Sequence, residues 1–136
     1  MVIFASEDIG NADLRALPLA IAGMQTIQLI GMPEARITLG QICSYLACAP
    51  KSNAAYLAIN KALDFVRKDG FRRVPENIAD PPTGYKYPHD FPNGYVEQEY
   101  WPVGSKRQSF YTPTRFGDEK VIGDRLQWWR DKSRKT

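Results

Sequence analysis

Between Arg73 and Pro113 prolines and aromatics alternate so densely that no regular element can run through the segment: Pro75, Pro81, Pro82, Tyr85, Tyr87, Pro88, Phe91, Pro92, Gly94, Tyr95, Tyr100, Trp101, Pro102, Phe110 and Tyr111. Each proline removes a backbone donor and fixes φ, which forbids a long helix and any central strand. The same stretch is too aromatic to be disordered, because disordered chain is poor in such side chains. The sequence therefore predicts an irregular arm pinned to a folded body by its rings. Residues 95–99 alternate too briefly to choose between a short strand and a helical turn.

The body is predicted on either side of that arm. Asn11 and Asp13 can cap a helix in which Leu17, Ile21, Met24 and Ile27 recur at helical spacing, with Gly31 and Pro33 closing it. Pro18 is expected to distort its first turns, and Gly23 to mark a close helix–helix approach. A second helix covers 34–49, with Ile37, Leu39, Ile42, Leu46 and Ala47 inward and Pro50 as its stop. A third follows Ser52 or Asn53, with Tyr56, Ile59, Leu63 and Val66 as its apolar face and Gly70 as its end. Lys61, Asp64, Arg67 and Lys68 lie mostly on the other side. Short connections predict that these three pack as antiparallel neighbours around one core. After the arm, Thr114 or Asp118 caps a last helix with Val121, Ile122, Leu126 and Trp129 as its stripe. The fold class is mostly α: a helical bundle with a proline- and aromatic-rich irregular arm.

The chain has 136 residues, 43% of them hydrophobic and 24% charged, which is a single domain with material for a core. Its net charge of +3 is too mild to name a nucleic-acid partner. Much of that charge crowds the tail at Arg130, Lys132, Arg134 and Lys135. Cys43 and Cys48 are five residues apart, on different faces of a helix, where they cannot bridge. They are expected to be free, buried thiols, fitting a reducing cytoplasm. No apolar run is long enough to span a bilayer and no signal peptide opens the chain, so a soluble intracellular protein is expected.

Chemistry-bearing motifs are scarce. Gly104-Ser105-Lys106 lacks the leading glycine of a phosphate-cradling loop, and the single histidine gives a nucleophile–base pair or a metal site little to work with. His89 beside Asp90 can be read as an oriented base; the plainer reading is a hydrogen-bonded ring that shapes its loop. Ser6, Glu7, Asp8 and Asp13 could gather a cation, but acids before a helix also complement its positive end, and that explanation is preferred. The arm's aromatics with Lys86 could stack single-stranded bases, although such clusters more often form the core of an irregular segment. Trp128 and Trp129 diverge by about 100° on a helix, so one of them is expected to meet another surface.

These strings, taken in order, resemble the C-terminal domain of the RarA (MgsA) ATPases. Ala5-Ser6-Glu7-Asp8-Ile9-Gly10-Asn11-Ala12-Asp13, with Arg15-Ala16-Leu17 after it, is similar to the opening of that domain. Gly31-Met32-Pro33-Glu34-Ala35-Arg36 resembles the start of its second helix. Tyr45-Leu46-Ala47 through Ala49-Pro50-Lys51-Ser52-Asn53-Ala54 resembles its most recognisable string, to which no catalytic role attaches and which reads as packing and turn chemistry. Gly84-Tyr85-Lys86-Tyr87-Pro88-His89-Asp90, Tyr111, Pro113-Thr114 and Gly117 continue the likeness over nearly the whole chain. Two departures stand out. Leu14 replaces a frequent family proline, and Thr83 runs directly into Gly84 where the family carries a longer stretch, so a piece is expected to be absent there.

The resemblance implies an AAA+ ATPase related to clamp loaders, acting at stalled or damaged replication forks, whose ATPase and lid modules would precede Met1. ATP and Mg would belong to those modules, leaving no catalytic, cofactor or metal residue in 1–136. It further implies a fold like the clamp-loader collar and a homotetramer assembled through this domain. Candidate interface residues are Leu17, Ile21, Met24, Tyr100, Trp101 and Trp128. The alternative is a module for single-stranded DNA or a replication partner, such as the single-strand-binding protein, with Lys86, Tyr87 and Arg107 as nucleic-acid contacts. A free-standing enzyme using His89 is a third reading. No membrane partner is expected, and the location implied is the cytoplasm, at the nucleoid.

Overall fold

The computed structural model describes residues 1–133; Arg134 and Lys135 of the basic tail lie outside the described residues. The chain opens with a compact coil of helix: α1 (Val2–Phe4) passes into a π turn at Ala5–Ile9 and a 3-10 turn at Gly10–Ala12. Then come α2 (Ala16–Ile30), α3 (Ala35–Cys48) and α4 (Ala54–Asp69). The arm follows, with 3-10 turns at Glu76–Ile78, Pro88–Asp90 and Pro92–Gly94, and α5 (Glu119–Ser133) closes the described chain. The fold is mostly α, and among the described residues there is no strand. Residues 95–99 form neither the strand nor the helical turn that the sequence left open.

Local chemistry sets the helix ends. Pro18 is the third residue of α2, where a backbone N–H would have no helical acceptor in any case. The helix therefore runs unbroken through it, against the expected distortion. Gly31, at φ +67°, ends α2 with its N–H on the Ile27 carbonyl. α3 stops at Cys48 because Ala49, preceding Pro50, is driven to extended backbone at ψ 146°. The Ser52 hydroxyl accepts the Ala54 N–H at 3.3 Å and starts α4. Thr83 donates its N–H to the Glu76 carbonyl at 2.9 Å, folding the loop before Gly84 back on the 3-10 turn.

The buried core is small and built on small residues. Ala16 and Ala20 of α2 pack with Ile42 and Leu46 of α3 and with Ala5 and Ile9 of the N-terminal coil. At Gly23 a methyl group would sit 2.0 Å from Ile42 Cδ1, so α2 and α3 approach as closely as a glycine allows. α4 does not complete a three-helix core with them; it packs chiefly on the N-terminal coil. Its covered side is Ala54, Ala58, Ala62 and Phe65. The face read from sequence as inward, Tyr56, Ile59, Leu63 and Val66, is 42–61% exposed. Ile37 and Ala47 of α3 and Val121 of α5 also face out. On α4 the reason is that the helix packs through its alanines at close range, so the larger apolar residues lie on its other side; α3 buries Ile42 and Leu46 instead of Ile37 and Ala47. The two cysteines correct another expectation. Both are free, and both are exposed, because α3 buries the side that carries Ile42 and Leu46.

The arm is held by rings. Trp101 and Phe110 lie 5.7 and 5.6 Å from Phe65 of α4 and 5.8 Å from each other, and Tyr95 lies 4.9 Å from Trp129 of α5. Gln98 ties the arm to itself, donating to the Lys86 carbonyl at 2.7 Å and accepting the Lys86 N–H at 3.1 Å.

Gly117 sits at φ +50°, and a Cβ there would lie 1.9 Å from the Ala12 carbonyl oxygen, a backbone atom that cannot swing away. Gly117→Ala should therefore lower unfolding stability by about 2 kcal/mol or more. Gly40→Ala, in open space within α3, should instead raise it by roughly 0.5–1 kcal/mol. Urea melts of the two variants check both signs.

Candidate functional site

The most ordered polar constellation is a buried knot around Glu119, the first residue of α5, which is 0% exposed. Its Oε2 accepts from the Ser52 hydroxyl at 2.5 Å, the Thr114 hydroxyl at 2.5 Å and the Thr114 N–H at 3.0 Å. Its Oε1 accepts from the Tyr111 hydroxyl at 2.6 Å, and that hydroxyl in turn accepts from Asn11 Nδ2 at 3.1 Å. Backbone bonds bind the same strands of chain together. Ser52 N–H reaches the Asp8 carbonyl at 2.8 Å, Asp118 N–H reaches Ala12 O at 2.9 Å, and Leu14 N–H reaches Asp118 Oδ2 at 3.2 Å. Gly10, at φ +52°, leaves room where a Cβ would meet Ser52 O at 2.5 Å.

A second buried carboxylate stands beside the knot. Asp13 accepts the Tyr45 hydroxyl at 2.6 Å, the Arg15 N–H at 3.0 Å and Arg15 Nε at 3.1 Å. For both acids burial opposes the charge, and the hydrogen bonds outweigh it. Glu119 is held below the usual carboxylate range by Ser52, Thr114 and Tyr111, and Asp13 by Tyr45 and Arg15. Burial and the neighbouring acid push the Tyr111 phenol up.

Each carboxylate oxygen of Glu119 and Asp13 accepts at least one hydrogen bond, which favours the charged form of both acids. No phosphate-cradling loop occurs in the sequence, and among the described residues no group of three or more His, Cys, Asp or Glu is placed to hold a metal. Asp13 acts at the end of the N-terminal coil rather than in a cation site with Glu7 and Asp8. His89 lies on the exposed arm with its ring 5.1 Å from that of Tyr87, while Asp90 N–H bonds the Tyr87 carbonyl, a loop-shaping arrangement.

The residues proposed from sequence for interfaces are scattered. Leu17 and Met24 lie on one side of α2, 41% and 45% exposed, with Ile21 half-buried between them. Tyr100 is exposed and takes a hydrogen bond from Gln98, while Trp101 is drawn into the aromatic cluster on Phe65. Trp128 is the exposed member of the tryptophan pair, with the Lys132 ammonium 4.8 Å from its ring centroid. Its ring also meets Trp129 edge-on at 4.4 Å. Lys86 and Tyr87 are exposed on the arm, and Arg107, also exposed, lies 3.5 Å from Glu99. The knot itself escaped sequence reasoning. Glu119 was legible only as an acid in the first turn of a helix, and its partners Asn11, Ser52 and Tyr111 are far away in the chain.

The sign of the pH effect follows from the lowered acids. The unfolded chain binds protons at a higher pH than the folded one does, so the stabilisation is full above the ordinary carboxylate range. It is lost as pH falls through the folded-state values. Glu119→Gln should flatten that acid loss in a pH series of thermal melts, and Glu119→Ala should cost about 3 kcal/mol or more at neutral pH by stranding buried hydroxyls.

Residues 1–130 match the family model described as the MgsA AAA+ ATPase C terminal. An uncharacterized AAA domain-containing protein of Mycobacterium tuberculosis is 41% identical over 93% of this chain. The replication-associated recombination protein A of Escherichia coli K12 is 39% identical over 91% of it, and that of Bacillus subtilis 38% over 86%. The chain spans 30% of the length of each of these relatives. Asn11, Ser52, Tyr111 and Thr114, from strings far apart in the sequence, meet at the knot just described, while Asp13 and Tyr45 pair beside it. The chain belongs to the MgsA AAA+ ATPase C-terminal family.

Proposed function

We propose that this chain is a non-catalytic oligomerisation domain that joins copies of a clamp-loader-like AAA+ ATPase, acting in replication, recombination and repair at stalled forks. One observation carries the reading: the large apolar residues of α2 and α4 are left uncovered by the chain's own packing. Leu17 and Met24 mark one such face and Tyr56, Ile59, Leu63 and Val66 another. The accessible surface is 9905 Å², whereas a compact monomer of this mass should expose about 7,200 Å². An excess of that size, with apolar faces in it, suits a protein that completes its burial against further copies. A homotetramer is the assembly proposed, with ATP and Mg bound by modules outside this chain. No described helix is long and apolar enough to cross a membrane, and a cytoplasmic location at the nucleoid goes with the proposed role. The names of the Escherichia coli and Bacillus subtilis relatives support the replication setting.

A second reading is a module that binds single-stranded DNA or a replication partner such as the single-strand-binding protein. The exposed Tyr85, Tyr87 and Lys86 favour it, and its signature would be oligonucleotide binding that weakens with salt.

Light scattering over a concentration series tests the first reading. A stable multimer is expected, and Leu17→Glu with Met24→Glu should weaken assembly at least about 100-fold while leaving helical circular dichroism intact. A strict monomer at high concentration would overturn the reading.

A further inference from the structure

Two concavities share the segment Gln108–Phe110. One, of about 770 Å³, is walled by Trp101, Phe110 and Leu126 and carries Arg107 and Arg130. The other, of about 400 Å³, is walled by Phe65 and Phe110 and carries Lys61 and Lys68. Gln108, Ser109 and Phe110 line both, so the two are neighbouring stretches of one surface. Its charge is one-sided. All four cations are exposed. The single acid in the two linings, Asp64, is already paired with Arg67 at 3.3 Å. Among the described residues Arg130 has no carboxylate partner and donates to the Ser109 hydroxyl at 2.8 Å, while Arg107 has only an exposed contact with Glu99.

We propose that this surface is a path for single-stranded nucleic acid across the Gln108–Phe110 segment. Phosphates would lie on the Arg107–Arg130 pair and on the Lys61–Lys68 pair, and a base would lie on the ring surface that Trp101 leaves open to the larger cavity. A repeating anion explains the arrangement better than a lone carboxylate does. A single acid needs one cationic pair, whereas here two pairs adjoin one segment, and the rings among them suit the π faces that successive bases offer. The path is compatible with assembly. At about 100° per residue, Lys61 and Lys68 stand on the side of α4 away from Tyr56, Ile59, Leu63 and Val66.

The proposal rests on the second reading above and gives it a surface other than Lys86 and Tyr87. Its test is fluorescence anisotropy of an oligothymidylate with the whole chain over a salt series. Four engaged cations should give a slope of log affinity against log salt near −2.8, and Arg107→Gln with Arg130→Gln, or Lys61→Gln with Lys68→Gln, should each reduce its magnitude by about 1.4. Arg36→Gln, an exposed cation on α3, should leave the slope unchanged, and unchanged melts and solution mass would certify the fold of every variant. Binding that ignores both pairs but falls with Lys86→Gln would overturn this surface and keep the second reading. No binding at low salt would overturn both. An oligoglutamate that binds through the same four residues while the oligonucleotide does not would replace the strand with an acidic peptide.

Discussion

A charge taken fully out of water is tolerable only where enough donors surround it, and the Glu119 carboxylate imposes that condition on this fold. Its four accepted hydrogen bonds come from Ser52 at the start of α4, from Thr114 before α5 and from Tyr111 at the end of the arm, which itself is held by Asn11. No two of these elements can drift apart without stranding a buried hydroxyl or the carboxylate. The apolar core, in contrast, is largely alanine with three large side chains, Ile9 of the N-terminal coil and Ile42 and Leu46 of α3, and by itself would specify only that α2, α3 and the coil lie together. The polar knot decides where α4, the arm and α5 go.

That division of labour explains which parts of the structure were legible in the sequence. The C-terminal helix limits were, because they are local: Pro50, Gly31 and Gly70 act on their own backbones. The expected cap of α2 was not, since Asn11 lies in a 3-10 turn and bonds Tyr111 while α2 starts at Ala16 with no side-chain cap. The arm was legible too, since prolines and rings in such density leave few alternatives, and its attachment through Trp101, Phe110 and Tyr95 is the kind of anchoring that composition implies. The inward faces were not. Periodicity assigns the larger apolar residues to the core, yet α4 turns Ala58 and Ala62 inward and leaves Leu63 and Val66 outside. Hydrophobicity alone cannot distinguish a face that meets the same chain from one that meets a different molecule.

The family likeness carries a related lesson. Its most recognisable strings contain serines, tyrosines, an asparagine and an aspartate, residue types that invite a catalytic interpretation. In the structure several of these side chains satisfy buried carboxylates: Ser52 and Tyr111 bond Glu119, and Tyr45 bonds Asp13. Asn11, Ser52, Tyr111 and Thr114 are drawn into one network around Glu119, whereas Tyr85, Lys86 and Tyr87 of another such string lie on the surface.

The knot also has a consequence for how the chain comes into being. The hydrogen bonds that secure it join residues 100, 104 and 67 positions apart, so loop closure over most of the polypeptide must precede any reward from them. On a ribosome, the N-terminal coil and α4 would wait with Asn11 and Ser52 unanswered until Glu119 had emerged. The early helices can form as they are made, but native order would be reached late, in one step that registers whether the carboxyl-terminal helix is present.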